Sequence, residues 1–218
     1  RLSLVGSEMC IRDSIMPTAF ITGASKGIGL ATARQMLSAG YRVINFSRSP
    51  SPAGGIENHA LDFSAPDAGE AVSKLIDSLL PGTEPTDITL VHNAAKLQND
   101  TADNLTAASF ESIIRINVLG PHHLNQALIP RMAPGSSILY IGSTLSEKAV
   151  PNSYSYVTTK HAMVGQMRAT CQDLAGTGIH TACICPGFTD TEMLREHVDH
   201  DAAVLDAVVR CGCCCRCS

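Results

Sequence analysis

The segment Thr22-Gly-Ala-Ser-Lys-Gly-Ile-Gly29 constrains this chain more than any other stretch. It follows an apolar run from Thr18 to Thr22 and opens a stretch with helical spacing from Gly27 to Ala39. Glycines in that position allow a tight turn and let main-chain N–H groups meet a pyrophosphate at the positive end of the helix. Short apolar runs then alternate with longer helical patterns, the rhythm that yields parallel strands joined by crossover helices. Strands are expected at Thr18 to Thr22, Tyr41 to Phe46, Asn58 to Asp62, Asp87 to His92, Ser136 to Gly142 and Ile179 to Cys185. Helices are expected at Gly27 to Ala39, Pro66 to Leu80, Thr106 to Met132 with a kink near Pro121, Tyr154 to Ala175, and Thr191 to Val208. This predicts an α/β fold, a Rossmann-like doubly wound parallel sheet in a single domain with six strands.

Length and charge narrow the partners. A chain of 218 residues, 44% hydrophobic, fills one substantial core and is short for two. Its net charge of −4 comes with Lys and Arg scattered along the chain, which gives no footprint for nucleic acid. No apolar run approaches the roughly 20 residues of a membrane helix. A small-molecule partner and a cytoplasmic location are expected.

Both ends differ from the body. Leu4 to Asp13 has no amphipathic period and looks like the in-frame translation of a library-preparation adapter, which makes residues 1–15 a non-native leader and Met16 the natural start. Five of the nine cysteines crowd the last eight residues, so 209–218 is expected to be a non-native tail. Neighbouring cysteines without an intervening loop cannot easily wrap one tetrahedral ion, and no metal is expected. Cys171, Cys183 and Cys185 are expected to be buried reduced thiols.

The Gly-x-x-x-Gly-x-Gly spacing of Gly23, Gly27 and Gly29 differs from the Gly-x-Gly-x-x-Gly of ordinary dehydrogenases and resembles the short-chain dehydrogenase/reductase family. Several segments carry the same resemblance. His92-Asn-Ala-Ala95 is similar to the family's Asn-Asn-Ala-Gly, with His92 and Ala95 departing from it. Tyr156 and Lys160 stand four apart on a helical pattern, with Ser143 thirteen residues earlier and Asn117 before that, the order of the family's active site. Pro186-Gly-Phe-Thr-Asp-Thr191 is similar to its Pro-Gly turn. Alone, the Tyr-x-x-x-Lys pair is a weak signal; the ordered set is a strong one.

The resemblance implies a nicotinamide cofactor held by Gly23, Ser25, Lys26, Gly27, Ile28 and Gly29 around the pyrophosphate. Asp62 and Phe63 would contact the adenine, and Asn93, Ala94 and Ala95 the adenosine. Pro186, Gly187, Thr189 and Thr191 would hold the nicotinamide carboxamide, and Tyr156 and Lys160 its ribose. An Asp at a strand end, as at 62, is equally an ordinary turn cap. At the end of the second strand stand Ser47 and Arg48, with no acidic residue from Leu30 to Ile56, so NADP(H) is expected over NAD(H): Arg48 and Lys26 could pair with a 2′-phosphate.

The implied activity is reduction of a ketone or oxoacyl carbonyl. Hydride transfer leaves an alkoxide that needs a proton from a placed acid. Tyr156 would supply it, its phenol drawn toward neutrality by the Lys160 ammonium and the oxidised nicotinamide ring. Ser143 would donate to the substrate oxygen, and Asn117 would hold a water linking Lys160 to solvent. Ser143 could instead cap the following loop, and Asn117 could be a tolerated polar helix residue. A cofactor-binding protein impaired by truncation is the alternative function. An extended-family epimerase fits less well, since its glycine spacing and longer C-terminal domain are absent. Family members usually add another helix and a seventh strand, missing here, so the sixth strand is expected to be an exposed edge. A homo-oligomer is expected of the complete protein and is in doubt for this chain.

Overall fold

The computed structural model describes residues 16–197. The leader assigned to 1–15 and the tail assigned to 209–218 lie outside them. Six parallel strands form one sheet: β1 (Thr18–Thr22), β2 (Arg42–Ser47), β3 (Ile56–Ala60), β4 (Ile88–His92), β5 (Ser137–Ile141) and β6 (His180–Ile184), in the spatial order β3-β2-β1-β4-β5-β6. Chain order reverses beside β1, which pairs with β2 on one side (Thr18 with Arg42) and β4 on the other (Thr18 with Ile88). Such a switch point opens a crevice at the carboxyl ends of the strands, where open α/β sheets bind ligands.

Period-two alternation sorts the strands' apolar residues onto two faces. Phe20, Ile44, Leu90, Ile138 and Tyr140 share one core with Val72 and Ile76 of α2 (Ala68–Leu79), and with residues of two further helices. Leu124 and Leu128 come from α4 (Gly120–Leu128) and Met163 from α5 (Tyr154–Asp173). On the other face Ala19, Ile21, Val43 and Val91 pack with Ala33 of α1 (Gly27–Ser38). Each fully buried Leu or Ile contributes about 1.5–3 kcal/mol, so covering both faces is what holds the central strands.

Three expectations shift. The third strand begins at Ile56, two residues early, because Ile56 pairs with Val43 and is buried in the α1-side core; Asp62 then falls in the turn beyond the strand. The helix expected from Thr106 to Met132 is interrupted by a π-helical turn at Arg115–Leu119 between α3 (Ala107–Ile114) and α4, with a final 3-10 turn at Ile129–Arg131. The irregularity thus lies in the turn just before Pro121, whose ring supplies no N–H for the Asn117 carbonyl four residues back. The last described helix, α6, spans Glu192–His197; the rest of the one expected to Val208 lies outside the described residues.

β1 and β4 are buried throughout, whereas His180, Ala182 and Ile184 of β6, the outermost strand of the described sheet, are exposed. Cys171 is also exposed and Cys183 and Cys185 are half-buried, less enclosed than expected; none forms a disulfide. Among the described residues no group of His, Cys, Asp and Glu could hold a metal, and no helix is long and apolar enough to cross a membrane.

Candidate active site

The glycine turn joins β1 to α1 and is pinned by β4. Gly23 has φ +70°, a conformation L side chains rarely adopt, and a Cβ there would lie 3.1 Å from Ala94 Cα. At Gly29 a Cβ would lie 2.4 Å from both the Gly23 carbonyl oxygen and Asn93 Nδ2, so the first turn of α1 can close on the loop only without a side chain. Asn93 Nδ2 donates to the carbonyls of Thr22 (2.9 Å) and Gly23 (3.1 Å). Thr22 Oγ1 accepts from the N–H groups of Asn93 (2.9 Å) and Ala94 (2.8 Å). The first-turn N–H groups of α1 have no intrahelical acceptor and add the helix's partial positive charge. This turn suits a dinucleotide pyrophosphate: its tight closure at Gly23 and Gly29 brings the first-turn N–H groups of α1, which lack intrahelical acceptors, together with Ser25 and Ile28.

Fully buried Asn45 in β2 ties this turn to the neighbouring loop. Its Oδ1 accepts from Ala24 N at 2.9 Å, and its Nδ2 donates to Ser47 Oγ (3.0 Å) and Asn58 Oδ1 (2.9 Å). Arg48 is exposed at the tip of β2, close enough to Asp62 to help hold that carboxyl below the usual range, behind the larger effect of two hydrogen bonds from Ser64. Asp62 thus acts as a turn cap, accepting from Ser64 N (2.9 Å) and Oγ (2.7 Å). Phe63 is buried, its ring 3.0 Å from where a Cβ on Gly120 would stand, and its side chain belongs to the core. Lys26 is committed elsewhere, ion-paired with Glu192 (3.1 Å) and Glu196 (3.5 Å) of α6.

Across the crevice, α5 presents Tyr156 and Lys160 one turn apart on its buried face. Lys160 Nζ stands 5.5 Å from the Tyr156 ring centroid and donates to the Ile141 carbonyl at the tip of β5 (2.6 Å). Ser143 Oγ hydrogen-bonds the Tyr156 phenol and also accepts from Leu145 N at 3.1 Å, so it caps the loop and faces the phenol at once. Asn117, fully buried in the π turn, accepts from Lys96 N (2.8 Å) and donates to Lys96 O (3.1 Å) and Thr159 Oγ1 (2.9 Å). Its side-chain amide is thereby occupied in joining the loop after β4 to α5, beside Lys160. Tyr154 packs against Phe110, ring centroids 5.8 Å apart, away from this group.

In the chain alone, burial is the largest influence on both groups. Burial pushes the Tyr156 phenol up to about 12, the hydrogen bond from Ser143 offsetting only part of it. Burial also brings Lys160 down to about 8, opposed by the nearby Cys183 and Cys185 sulfurs. Desolvation disfavours the charged form of each, so in the chain alone the phenol keeps its proton.

Comparison with known proteins shows the family to which this fold belongs. The family model of the short chain dehydrogenases covers residues 17–202. The chain belongs to the short chain dehydrogenase family. The short chain dehydrogenase ausX of Penicillium brasilianum is 30% identical over 194 residues, 87% of this chain and 74% of that protein. The 3-oxoacyl-acyl-carrier-protein reductase FabG of Staphylococcus aureus is 27% identical over 81% of this chain and 76% of its own. The ligand-free aldohexose dehydrogenase of Thermoplasma acidophilum superposes with TM-score 0.78 at 25% identity, over 90% of this chain and 78% of that one.

As a short chain dehydrogenase, the protein is an oxidoreductase of a family that uses nicotinamide cofactors. Its remaining wall is the turn after β6. Pro186 O accepts from Thr144 N at 3.0 Å, joining that turn to the loop after Ser143. Thr189 Oγ1 donates to Gly187 O at 3.2 Å, and Thr191 accepts from Leu194 N and Arg195 N as the cap of α6. The Thr191 methyl lies 3.5 Å from where a Cβ on Gly27 would stand, which seats α6 over the glycine turn. Ala95 lies half-buried in the loop after β4.

Two contributors were not singled out from sequence. Asn45 looked like one polar residue within an apolar strand, and its burial in an interior strand was the only available signal. Asp100 sits in the loop after β4, yet it is buried; its carboxylate accepts from Ser155 N at 2.8 Å and from Ser155 Oγ. Its main chain bridges Asn152 and Tyr154, so it clasps the start of α5. No local pattern announces a contact across 55 positions.

Proposed function

We propose that the protein is an NADP(H)-dependent carbonyl reductase in which Tyr156 is the proton donor. The carrying observation is a buried phenol beside Ser143 and the Lys160 ammonium, on the helix whose lysine reaches the tip of β5 in the same sheet whose β1 leads into the glycine turn. When bound, the cofactor supplies the hydride. Ser143 Oγ and the Tyr156 hydroxyl donate to the substrate's carbonyl oxygen; as charge develops there, the phenol's proton passes to it, because an alkoxide is far more basic than a phenolate. The resulting phenolate is stabilised by Lys160, held in place by the Ile141 carbonyl. Asn117 fixes the loop after β4 to α5 and so sets the distance between the two halves of the site.

Arg48 supports the NADP(H) preference: an exposed guanidinium at the tip of β2, with no acidic residue between Leu30 and Ile56, the nearby Asp62 carboxylate being engaged by Ser64. Lys26 would assist only after leaving Glu192 and Glu196. Ketones and oxoacyl thioesters are the substrate class, in keeping with relatives named as ketoacyl reductases. The test is NADPH and NADH oxidation against a panel of ketones, diketones and oxoacyl thioesters. Turnover with NADPH is expected; NADPH binding without turnover across the panel would assign a cofactor-binding protein instead.

A further inference from the structure

We infer that Asn45 is a positioning residue that makes the pyrophosphate turn and the loop bearing Arg48 one rigid unit, so that discrimination of the cofactor's 2′-phosphate depends on a side chain that does not contact it. The inference rests on the NADP(H) reading of Arg48. Asn45 is fully buried in β2, where an amide is tolerated only if its donors and acceptor are engaged. Its Oδ1 takes Ala24 N from the turn. Its Nδ2 holds Ser47 Oγ, immediately before Arg48, and Asn58 Oδ1 on β3. Asn58 Oδ1 also accepts from Ser51 N at 2.7 Å, just after the Arg48 loop, while Asn58 Nδ2 donates to Ile56 O at 3.0 Å. The Ser47 hydroxyl in turn donates to Ser49 O. The loop is therefore clamped at residue 47 and at residue 51, with Arg48 between the clamps, and both clamps run back to Asn45.

A long, exposed arginine loses side-chain entropy on engaging a phosphate; a fixed loop spares it the additional cost of ordering its own main chain. Removing Asn45 leaves Arg48 present but mounted on a released loop, so Arg48 should no longer add much to NADPH affinity. A substitution that merely loosens the fold would weaken NADPH and NADH alike.

The experiment is a double-mutant cycle on the full chain with Arg48→Ala, Asn45→Ala and both together, reading NADPH and NADH dissociation constants by nucleotide fluorescence and folding by circular dichroism. Losing one charge-assisted phosphate contact is expected to weaken NADPH binding about tenfold in Arg48→Ala and leave NADH within about twofold. In the Asn45→Ala background the same Arg48 change should cost NADPH less than about threefold. Additive effects on NADPH, with Arg48→Ala costly in both backgrounds, overturn the role of Asn45 while leaving the cofactor reading intact. If Arg48→Ala alone does not weaken NADPH, the cofactor reading fails and the inference falls with it. Should Asn45→Ala not fold, Asn58→Ala opens the Ser51 clamp without touching Ala24; it must lower NADPH affinity selectively and mask Arg48→Ala, or the proposal is wrong.

Discussion

Two buried bases sit one strand apart at the carboxyl end of the sheet, and burial strips both toward neutrality. Lys160, under the tip of β5, falls to about 8, and His92, the last residue of β4, to about 4. Judged by perturbation alone both would be candidates for chemistry. Their surroundings separate them. His92 faces inward: its Nε2 is 2.8 Å from Asn125 Oδ1, and Asn125 Nδ2 donates to Tyr140 Oη at 2.7 Å, which in turn lies 3.3 Å from Thr170 Oγ1. Because Asn125 spends its amide on Tyr140, its oxygen must accept from His92, leaving Nδ1 a bare acceptor with no partner among the described residues. Lys160 faces the crevice with Tyr156 and Ser143. A perturbed titration marks burial; only the company a group keeps marks a site.

The sharpest way to break that contrast is to remove the phenol's proton. Tyr156→Phe should lower kcat for carbonyl reduction by roughly 10²–10⁴ while NADPH affinity stays within a few fold, read from steady-state rates and fluorescence binding. Retained turnover would return Tyr156 to the status of His92. Lys160→Met comes next, with kcat expected to fall about 10²-fold and thermal stability at pH 7 to rise, since a buried ammonium is replaced by an apolar chain of similar length. In the intact protein, reduction should decline above about pH 8 as Lys160 loses its proton. A rate that stays flat from pH 7 to 10 would separate Lys160 from the proton chemistry.

His92 should show the complementary behaviour, a stability effect at the acid end with no catalytic one. The unfolded chain binds a proton at His92 near the ordinary value of 6.5, and the folded chain only near 4. Between those values the unfolded state holds more protons, so stability rises with pH through the window and is lost as pH falls from 6.5 toward 4. The loss reaches at most about 3 kcal/mol. His92→Gln should flatten that slope in urea melts across the window while changing kcat by less than about threefold. An undiminished slope would place the acid sensitivity elsewhere.

The same contrast explains what could be read from the sequence. The glycine turn, the strand rhythm and the Ser143, Tyr156, Lys160 order are local patterns at fixed spacing, and the structure places them along one crevice. The extent to which burial perturbs Tyr156 and Lys160 was not legible, because it depends on how the sheet and neighbouring helices enclose both groups in three dimensions. The β3 register was missed because Ile56 is drawn in by pairing with Val43 on another strand. Likewise Lys26 reads as a phosphate ligand until α6 brings Glu192 and Glu196 to it.

The smallest expected effect concerns how the site's helix is anchored. Lys160 is buried at the cost of desolvation, whereas the equally buried Asp100 sits at the N-terminus of α5, where N–H groups and the helix's partial charge favour an anion. Asp100→Asn keeps an oxygen for Ser155 N and removes the charge, so it should cost about 1 kcal/mol in a denaturant melt with kcat nearly unchanged. Asp100→Ala removes the clasp itself and leaves Ser155 N to find water. Stability should fall by about 2 kcal/mol and kcat by a few fold, because residue 156 follows directly on the loosened turn. If the alanine variant matches wild type in both measurements, the Asp100 clasp plays no part in holding Tyr156. The placement of the phenol would then rest on Asn117, Thr159 and the Lys160 bond to Ile141 alone.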